Sequence, residues 1–293
     1  MKTILVLSKT TGFDALGYDR FRELDKSKRE ELEEEHKNHT MALNKLESLL
    51  FTYKSKMMHG KNIYSISDND CHDPDTEYDL VISLGGDGTF LNAAQRFPTS
   101  CLLGINSDYR HNDVKRGSVG ALTSMQANQI EEKIPTLLNN WEHGIWNTKD
   151  WPVLSVILNG EMLEPIALNE IFIGAEFGYQ TCDFRLTADD ESDIFNSSGV
   201  IISTGMGSHA WYRNAGGTPF SNDLQAIGVI VREPNLKRNP SFTNKVIPMN
   251  KGLYIYPERE GYKLHFDGRS EGITLSDDSI EIVSNKSIKV VDI

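Results

Sequence analysis

Two features that would assign a chain to a familiar class, cysteine residues and long apolar runs, are scarce or absent in this sequence. Its 293 residues include only three cysteines, Cys71, Cys101 and Cys182, and no two of them form a Cys-x-x-Cys pair. This odd, widely spaced set argues against a disulfide framework or a zinc site and is typical of reduced thiols in a cytosolic protein. No apolar run approaches the roughly 18 residues that a membrane-spanning helix needs, so we expect no membrane partner.

Positive charge and targeting signals are also scarce. The net charge is −12 and no block rich in Lys and Arg offsets it, which argues against a nucleic-acid partner. Near the N-terminus the only apolar run is Ile4–Leu7, shorter than the stretch of about 7 to 15 apolar residues in a signal peptide. We therefore expect a cytoplasmic protein without a signal or transit peptide.

The most informative stretch is rich in glycine and reads Leu84-Gly85-Gly86-Asp87-Gly88-Thr89. Before it, Asp79–Ser83 predicts a short buried strand, and after it Phe90–Arg96 predicts a helix. A glycine-rich turn between a strand and a helix directs backbone N–H groups and the positive end of the helix dipole at one point, where a polyphosphate can approach closely. Asp87 in such a cradle needs a cation or a neutral hydroxyl beside it, which suggests phosphoryl transfer. The alternative is an ordinary helix cap.

Strands and helices alternate through the first half of the chain. The other predicted elements are, in order, Lys2–Leu7, Tyr18–Met58, Asn62–Ser67, Cys101–Ile105 and Glu131–Asn140. This alternation is typical of a parallel, doubly wound sheet, which binds its ligand at the carboxyl ends of the strands. We expect Asp87 and Asn106 to be neighbours there.

Other polar residues of this half are ambiguous. Lys9 follows the first predicted strand, where a phosphate contact and simple solvation are both open. The acidic run Glu30–Glu35 predicts a solvent-exposed face. His36 and His39 are three residues apart, but no acidic or cysteine partner stands at ligand spacing, which disfavours a shared metal.

From Trp141 onward short strands dominate. Pro, Gly and Asn separate the apolar runs Val153–Leu158, Ala167–Ile173, Val200–Ser203, Leu253–Tyr256 and Lys263–Phe266. Asp267-Gly268 predicts a hairpin turn. We expect an α/β domain over residues 1–140, which carries the glycine-rich turn, and a mostly β domain over 141–293, with roughly the last 20 residues either staying there or returning to the first domain.

Two motifs of the second half suit a nucleotide. Asn169-Glu170 opens a predicted strand, and an amide beside a carboxylate can bond a purine edge and ribose hydroxyls, although a surface pair would look the same. Gly205–Ala210 has the Gly-x-Gly-x-x-Ala form of a dinucleotide-binding turn. However, Gly216-Gly217-Thr218-Pro219 stops the next helix within about two turns, which is too short for a crossover helix. Small residues around Trp211 instead predict a tight turn where a base stacks, or a core aromatic.

These motifs resemble those of a known family. Gly85–Thr89 resembles the signature of the NAD kinase, diacylglycerol kinase and sphingosine kinase superfamily, and the residues after it, Phe90–Ala94, are unlike those of the lipid kinases. Asn169-Glu170 and Gly205–Trp211 resemble the second and third motifs of NAD kinases, in the same order. The resemblance covers nearly the whole chain after residue 78.

Three departures from the common bacterial pattern are similar to the mitochondrial-type NAD kinase branch. Ser198, Gly205 and His209-Ala210-Trp211 stand where common bacterial members have Asp, Pro and Thr-Ala-Tyr. The chain is short, which favours a bacterial member of that branch.

The resemblance implies an NAD kinase-like fold, with a doubly wound α/β N-terminal domain plus a mostly β C-terminal domain. It implies transfer of the ATP γ-phosphate to the 2′-hydroxyl of the adenosine ribose of NAD, with Mg²⁺ held through the substrate phosphates and Asp87 open as a further ligand. A homodimer or homotetramer is implied as well. A carboxylate with a pKa near 4 is a weak base, but in a loose transition state it need only orient the hydroxyl and accept its proton late.

That catalytic role falls to Asp87. Gly86–Thr89 would hold phosphate, Asn169 and Glu170 the adenosine, and Trp211 a base, while Arg213 and Arg269 are either phosphate partners or ordinary surface arginines. The residues expected to bind substrate are Gly86, Gly88, Thr89, Asn106, Asn169, Glu170, Ser198, Thr204, Ser208, His209, Ala210, Trp211, Arg213, Asn214 and Arg269.

Three other functions stay open. A lipid kinase of the same superfamily would phosphorylate lipid with little dependence on NAD. An oxidoreductase would change NADH absorbance, but it needs a dinucleotide fold that Gly216-Gly217 disfavours. A catalytically weak NAD-binding sensor would carry the same binding residues, and only a turnover assay separates it from a kinase.

Overall fold

The protein is described by a computed structural model that covers residues 3–56, 63–67, 78–109, 119–269, 272–276 and 278–293, with the backbone alone at 52–56 and 63–67. The chain forms two compact units. The α/β unit consists of Met1–Asp150 and Ile288–Ile293, and the β unit consists of Trp151–Ser287. The predicted fold class, an α/β N-terminal region with a mostly β region after it, is confirmed.

The α/β unit contains the alternating elements that the sequence predicts. They are β1 (Ile4–Ser8), α1 (Gly12–Glu23), α2 (Lys26–Lys56), β2 (Ile63–Ser67), β3 (Leu80–Gly85), α3 (Asp87–Arg96), β4 (Cys101–Asn106), β5 (Met125–Gln126) and α4 (Ile130–Glu142). Three of the predicted end positions, Lys2, Met58 and Asn62, lie outside the described residues, and so does Cys71.

The strands of this unit form a parallel sheet in the order β2-β1-β3-β4. Every residue of β1, β3 and β4 is buried, as expected of parallel strands that are covered by helices. Leu46 of α2 and Leu138 of α4 pack in the same core as Ile82 and Leu103. Because the strands are parallel, their last residues lie at the same edge of the sheet, namely Ser8 of β1, Gly85 of β3 and Asn106 of β4.

The β unit contains mostly antiparallel strands. They are β6 (Thr148–Leu158), β7 (Glu161–Ala167), β8 (Glu170–Ala175), β9 (Cys182–Ala188), β10 (Glu191–Ser197), β11 (Gly199–Ser203), β12 (Ala226–Arg232), β13 (Asn244–Pro248), β14 (Leu253–Pro257), β15 (Tyr262–Phe266), β16 (Ile273–Leu275) and β17 (Ile280–Val291). The first residues of β6 and the last residues of β17 belong to the α/β unit. Its α-helix within the described residues is α5 (Trp211–Asn214). The single strand predicted over Ala167–Ile173 is wrong in one respect, since β7 ends at Ala167 and β8 begins at Glu170.

Alternating side chains divide the sheet β13-β12-β11-β8-β15-β16 into an inner and an outer face. Ile171 and Ile173 of β8 point into the core, where they meet Phe184 and Leu186 of β9. Phe172, between them in the sequence, points to the outer face, as period-two alternation requires. No helix within the described ranges is long and apolar enough to cross a membrane.

Candidate active site

The glycine-rich turn joins β3 to α3. Gly86 is the residue before the first helical residue, Asp87, and no side chain among the described residues caps this helix N-terminus. Its first N–H groups are therefore available to an external acceptor. A Cβ at Gly85 would lie 2.1 Å from Thr89 Oγ1, whereas a Cβ at Gly88 would meet no described atom within 4 Å. The space beside Gly88 is where a phosphate can approach the backbone.

Asp87 is half-buried at the first helical position. Its Oδ1 accepts a hydrogen bond from the Leu122 N–H at 2.8 Å, and its Oδ2 has no partner within the described part of the chain. Asn106 ends the neighbouring strand directly opposite Gly85, and its Nδ2 lies 2.4 Å from where a Cβ of Gly120 would be. Asp87 and Asn106 thus both lie against the segment 120–122.

A buried histidine lies behind this turn and joins the ends of β1 and β4. His39 of α2 is 4% exposed, with Nε2 at 2.8 Å from Ser8 Oγ and Nδ1 at 2.9 Å from Ser107 Oγ. Burial, and then the positive charge of Lys9, lowers the pKa of His39 to about 4. The ring is therefore neutral at pH 7, and one nitrogen donates while the other accepts.

The remaining polar residues near the end of β1 are also paired. Lys9 Nζ lies 2.7 Å from Glu35 Oε1, so Lys9 is neither simply solvated nor, in this structure, a free cation. Glu35 is consequently an exception to the predicted solvent-exposed acidic face. His36 Nδ1 lies 2.9 Å from Thr11 Oγ1. No cluster of three or more His, Cys, Asp or Glu residues that could hold a metal occurs among the described residues.

The second group of candidate residues lies in the β unit, at the start of β8. Glu170 pairs with Ser203 of β11 and is 6% exposed, so the alternative of a surface glutamate is wrong. Burial, and then the negative charge of Asp267, raises the pKa of Glu170 to about 7. Its Oε2 is buried without a hydrogen-bond partner among the described residues. A buried carboxyl group with these properties is typical of a ligand site.

Asp267 anchors the backbone beside Glu170. Its Oδ2 accepts from the N–H of Leu168 at 3.0 Å, and its Oδ1 accepts from the N–H groups of Asn169 at 2.7 Å and Glu170 at 3.1 Å. The hairpin predicted at Asp267-Gly268 is present between β15 and β16. Sequence reasoning missed this contact because Asn169 and Asp267 are 98 residues apart in the chain. The available signal was the Asp before a turn glycine, since Asp side chains in turns often accept hydrogen bonds from backbone N–H groups.

The turn after β11 contacts the same backbone from the other side. Thr204 Oγ1 donates to the Leu168 carbonyl at 2.5 Å and accepts from the Gly207 N–H at 3.0 Å. A Cβ at Gly207 would lie 1.9 Å from the Asn169 oxygen, so only glycine allows this approach. Ser208 Oγ accepts from the Phe220 N–H at 3.0 Å. The second and third sequence motifs are therefore in direct contact.

The helix after this turn is short, as predicted. α5 covers only Trp211–Asn214, which confirms that the chain lacks the long helix of a dinucleotide-binding crossover here. Trp211 is half-buried, with its ring centroid 5.0 Å from that of Phe172 and 5.2 Å from Arg232 Cζ. The Phe172 ring also stacks on His265 at 6.2 Å. Sequence reasoning missed Phe172, Arg232 and His265, which form an aromatic and cationic group with Trp211 on the outer face.

Not every expected residue joins these groups. Ser198 lies next to Gly199, which is at the opposite end of β11 from Ser203, roughly 14 Å away along a five-residue strand. The β unit therefore does not bring Ser198 together with Glu170 and Thr204. Five of the expected residues are exposed, namely Gly88, His209, Arg213, Asn214 and Arg269, and Ala210 is half-buried.

No protein-family model matches the chain. Over 244 residues the chain is 30% identical to a probable NADH kinase of Oryza sativa subsp. japonica, in an alignment that covers 76% of this chain and 74% of that protein. It is 29% identical over 184 residues to an NAD kinase of Clostridium perfringens, and this match spans only 61% of the relative's length and 61% of this chain. The structure is similar to that of an NAD kinase from Archaeoglobus fulgidus in complex with ATP, with a TM-score of 0.65, 20% identity and coverage of 98% of this chain and 93% of that one.

Proposed function

The chain belongs to the NAD kinase family, and we propose on that premise that it transfers the γ-phosphate of ATP to the 2′-hydroxyl of the adenosine ribose of NAD, forming NADP. The relatives that support this proposal are named NAD kinase and NADH kinase. The observation that carries it is Asp87, whose Oδ2 is unpaired within the described residues at a helix N-terminus that no described side chain caps.

Asp87 would orient the acceptor hydroxyl. The Leu122 N–H holds Oδ1, which fixes the carboxylate and leaves Oδ2 to accept the hydroxyl proton. In a loose transition state the proton leaves late, so a carboxylate is a sufficient base. The N–H groups at the start of α3 would stabilise charge on the transferred phosphoryl group, because they point at it without reorganisation.

The β unit would hold the adenosine. The side-chain amide of Asn169 has no partner among the described residues, so it can bond the purine edge in two places. Glu170 would accept from ribose hydroxyls, which gives its unpaired Oε2 a partner. Trp211 would contribute an aromatic surface, and Thr204 and Ser208 fix the turn that carries it. Arg213 and Arg269 remain candidates for phosphate pairing.

A divalent cation such as Mg²⁺ would be held mainly through the substrate phosphates. The described residues contain no cluster of three or more metal-binding side chains, but Mg²⁺ is commonly held by one or two carboxylates together with substrate phosphates. Asp87 Oδ2 would be that ligand only when it does not hold the acceptor hydroxyl, because one oxygen cannot serve both, so the substrate phosphates would hold the ion during transfer. The ion would neutralise charge on the phosphates.

Finer assignments extend the proposal. We place the chain in the mitochondrial-type branch on the strength of Ser198, Gly205 and His209-Ala210-Trp211. We propose a cytoplasmic homo-oligomer, and the buried thiols Cys101 and Cys182 are compatible with a reducing compartment.

The test of the proposal is turnover of NAD by the purified protein with ATP and Mg²⁺. Asp87→Asn should abolish NADP formation while the fold persists, since the amide oxygen can still accept from the Leu122 N–H. Asp190→Asn, at an exposed turn, is the control and should keep wild-type activity. Near-normal turnover by the Asp87 variant would refute the assigned role, and NAD binding without turnover by the wild type would identify a sensor instead.

A further inference from the structure

Hydrogen bonds from Thr204 and Asp267 fix the segment Leu168–Glu170 from two sides, and the proposed function assigns no role to Asp267. Thr204 bonds the Leu168 carbonyl through its hydroxyl and the Asn169 carbonyl through its N–H at 3.0 Å. Asp267 takes the three N–H groups of the segment with one carboxylate. It also donates its own N–H to the Glu170 carbonyl at 2.9 Å.

These bonds are more than the hairpin requires. A turn between β15 and β16 needs a residue with positive φ at this position, and glycine would supply it without strain. Asp267 instead adopts φ 48°, a conformation that costs energy for a residue with a Cβ. The carboxylate compensates through charge-assisted hydrogen bonds, and three of them go to the backbone that carries Asn169 and Glu170.

We propose that Asp267 is a positioning residue for nucleotide binding, which aims the Asn169 amide and the Glu170 carboxyl group at the adenosine by fixing the three N–H groups of their segment. This inference rests on the proposed function, because it presumes that these two side chains meet the adenosine. Without the carboxylate, the three N–H groups would turn toward water and the two side chains would sample several directions.

The charge of Asp267 contributes a second effect on the same site. Among the described residues it is the charged group whose field raises the pKa of Glu170. The strand on the other side presents Ser203 opposite Glu170, and Ser203 carries no charge. Removing the Asp267 carboxylate should therefore let Glu170 ionise at lower pH. A purely structural role of Asp267 would not predict the resulting change in the pH dependence of the KM for NAD.

The experiment compares Asp267→Asn and Asp267→Gly with wild type, using NAD and ATP as the ligands. Glycine adopts the left-handed turn freely, so the Asp267→Gly variant keeps the hairpin while it loses both acceptor oxygens and the three hydrogen bonds that they accept. Asp189→Asn is the matched control, because Asp189 has φ 59° in the hairpin between β9 and β10. We expect the KM for NAD to rise about 10- to 100-fold in Asp267→Gly, with little change in kcat or in the KM for ATP. The rise should be smaller in Asp267→Asn, because the amide oxygen can still accept from the Asn169 and Glu170 N–H groups. The control should match wild type.

Two further readouts separate the outcomes. The amides of Leu168–Glu170 should exchange faster with solvent in the variants without nucleotide, and the inflection in the pH dependence of the KM for NAD should move to lower pH. Affinity for NAD within about twofold of wild type, despite faster exchange, would overturn the positioning role. An equal rise in both KM values would do the same. If the wild type binds NAD in calorimetry but forms no NADP, the proposed function fails, and the comparison of NAD binding between wild type and variants still decides the role of Asp267. If the wild type does not bind NAD, both the proposed function and the positioning role are overturned.

Discussion

Replacing Glu170 by Gln should stabilise the protein at alkaline pH while weakening NAD binding. Glu170 is buried beside Asp267, and its pKa is raised from an ordinary 4.5 to about 7. The folded protein therefore holds this proton more tightly than the unfolded chain does. The stabilisation that the protonated Glu170 contributes to the free energy of unfolding is complete below about pH 4.5 and is lost as the pH rises through 7.

The size of the effect follows from the shift of the pKa. A difference of about 2.5 units corresponds to about 3 kcal/mol between the two ends of the window. Gln is neutral at every pH, so Glu170→Gln should match wild type near pH 4.5 and exceed it by up to about 3 kcal/mol at pH 8. At pH 8 the variant should also show a higher KM for NAD, because an ionised carboxylate that accepts from ribose hydroxyls is lost.

Urea unfolding of both proteins at several pH values between 4.5 and 8 is the assay. The difference between the two proteins is the decisive quantity, because His39 gives both of them an opposite pH dependence over part of this window and its contribution cancels. Glu164→Gln is the control, because Glu164 is exposed on β7 and its variant should track wild type. A difference that stays constant with pH would refute the reasoning, because it would show that Glu170 ionises at the same pH in the folded protein and in the unfolded chain.

Two other changes test the α/β unit. His39→Asn should lower the free energy of unfolding by about 1 to 3 kcal/mol at pH 7, because it leaves buried hydroxyls without a partner. Since the pKa of His39 is lowered to about 4, the stability that it contributes is complete above pH 6.5 and is lost as the pH falls toward 4. Urea unfolding should therefore show a smaller loss of stability at acid pH in the variant than in wild type, and an equal loss would contradict this. Gly88→Ala should leave the Tm unchanged and raise the KM for ATP, because a Cβ there meets no described atom but fills the space assigned to phosphate. Gly85→Ala should instead lower the Tm. An unaltered KM for ATP in the Gly88 variant would argue against phosphate binding at this turn.

The alternation of elements and the glycine-rich turn were predictable because their signals are local. The buried strand before Gly85, the glycines and the helix after Asp87 all lie within about 20 consecutive residues, the range over which periodicity and turn chemistry act. The short helix at Trp211 was predictable for the same reason, since Gly216-Gly217 stands close behind it. The order of motifs along the chain also sufficed to indicate the family.

The environment of each polar side chain was decided only by the tertiary structure. Asn169-Glu170 reads equally well as a surface pair, and Glu170 is buried because β11 and the Asp267 turn pack on both sides of its strand. His39 reads as one of two helical histidines, and its role emerges only because the parallel sheet places Ser8 and Ser107 at the same edge. Burial and hydrogen bonding depend on partners that are distant in the chain, and short-range patterns carry no information about which partners will meet.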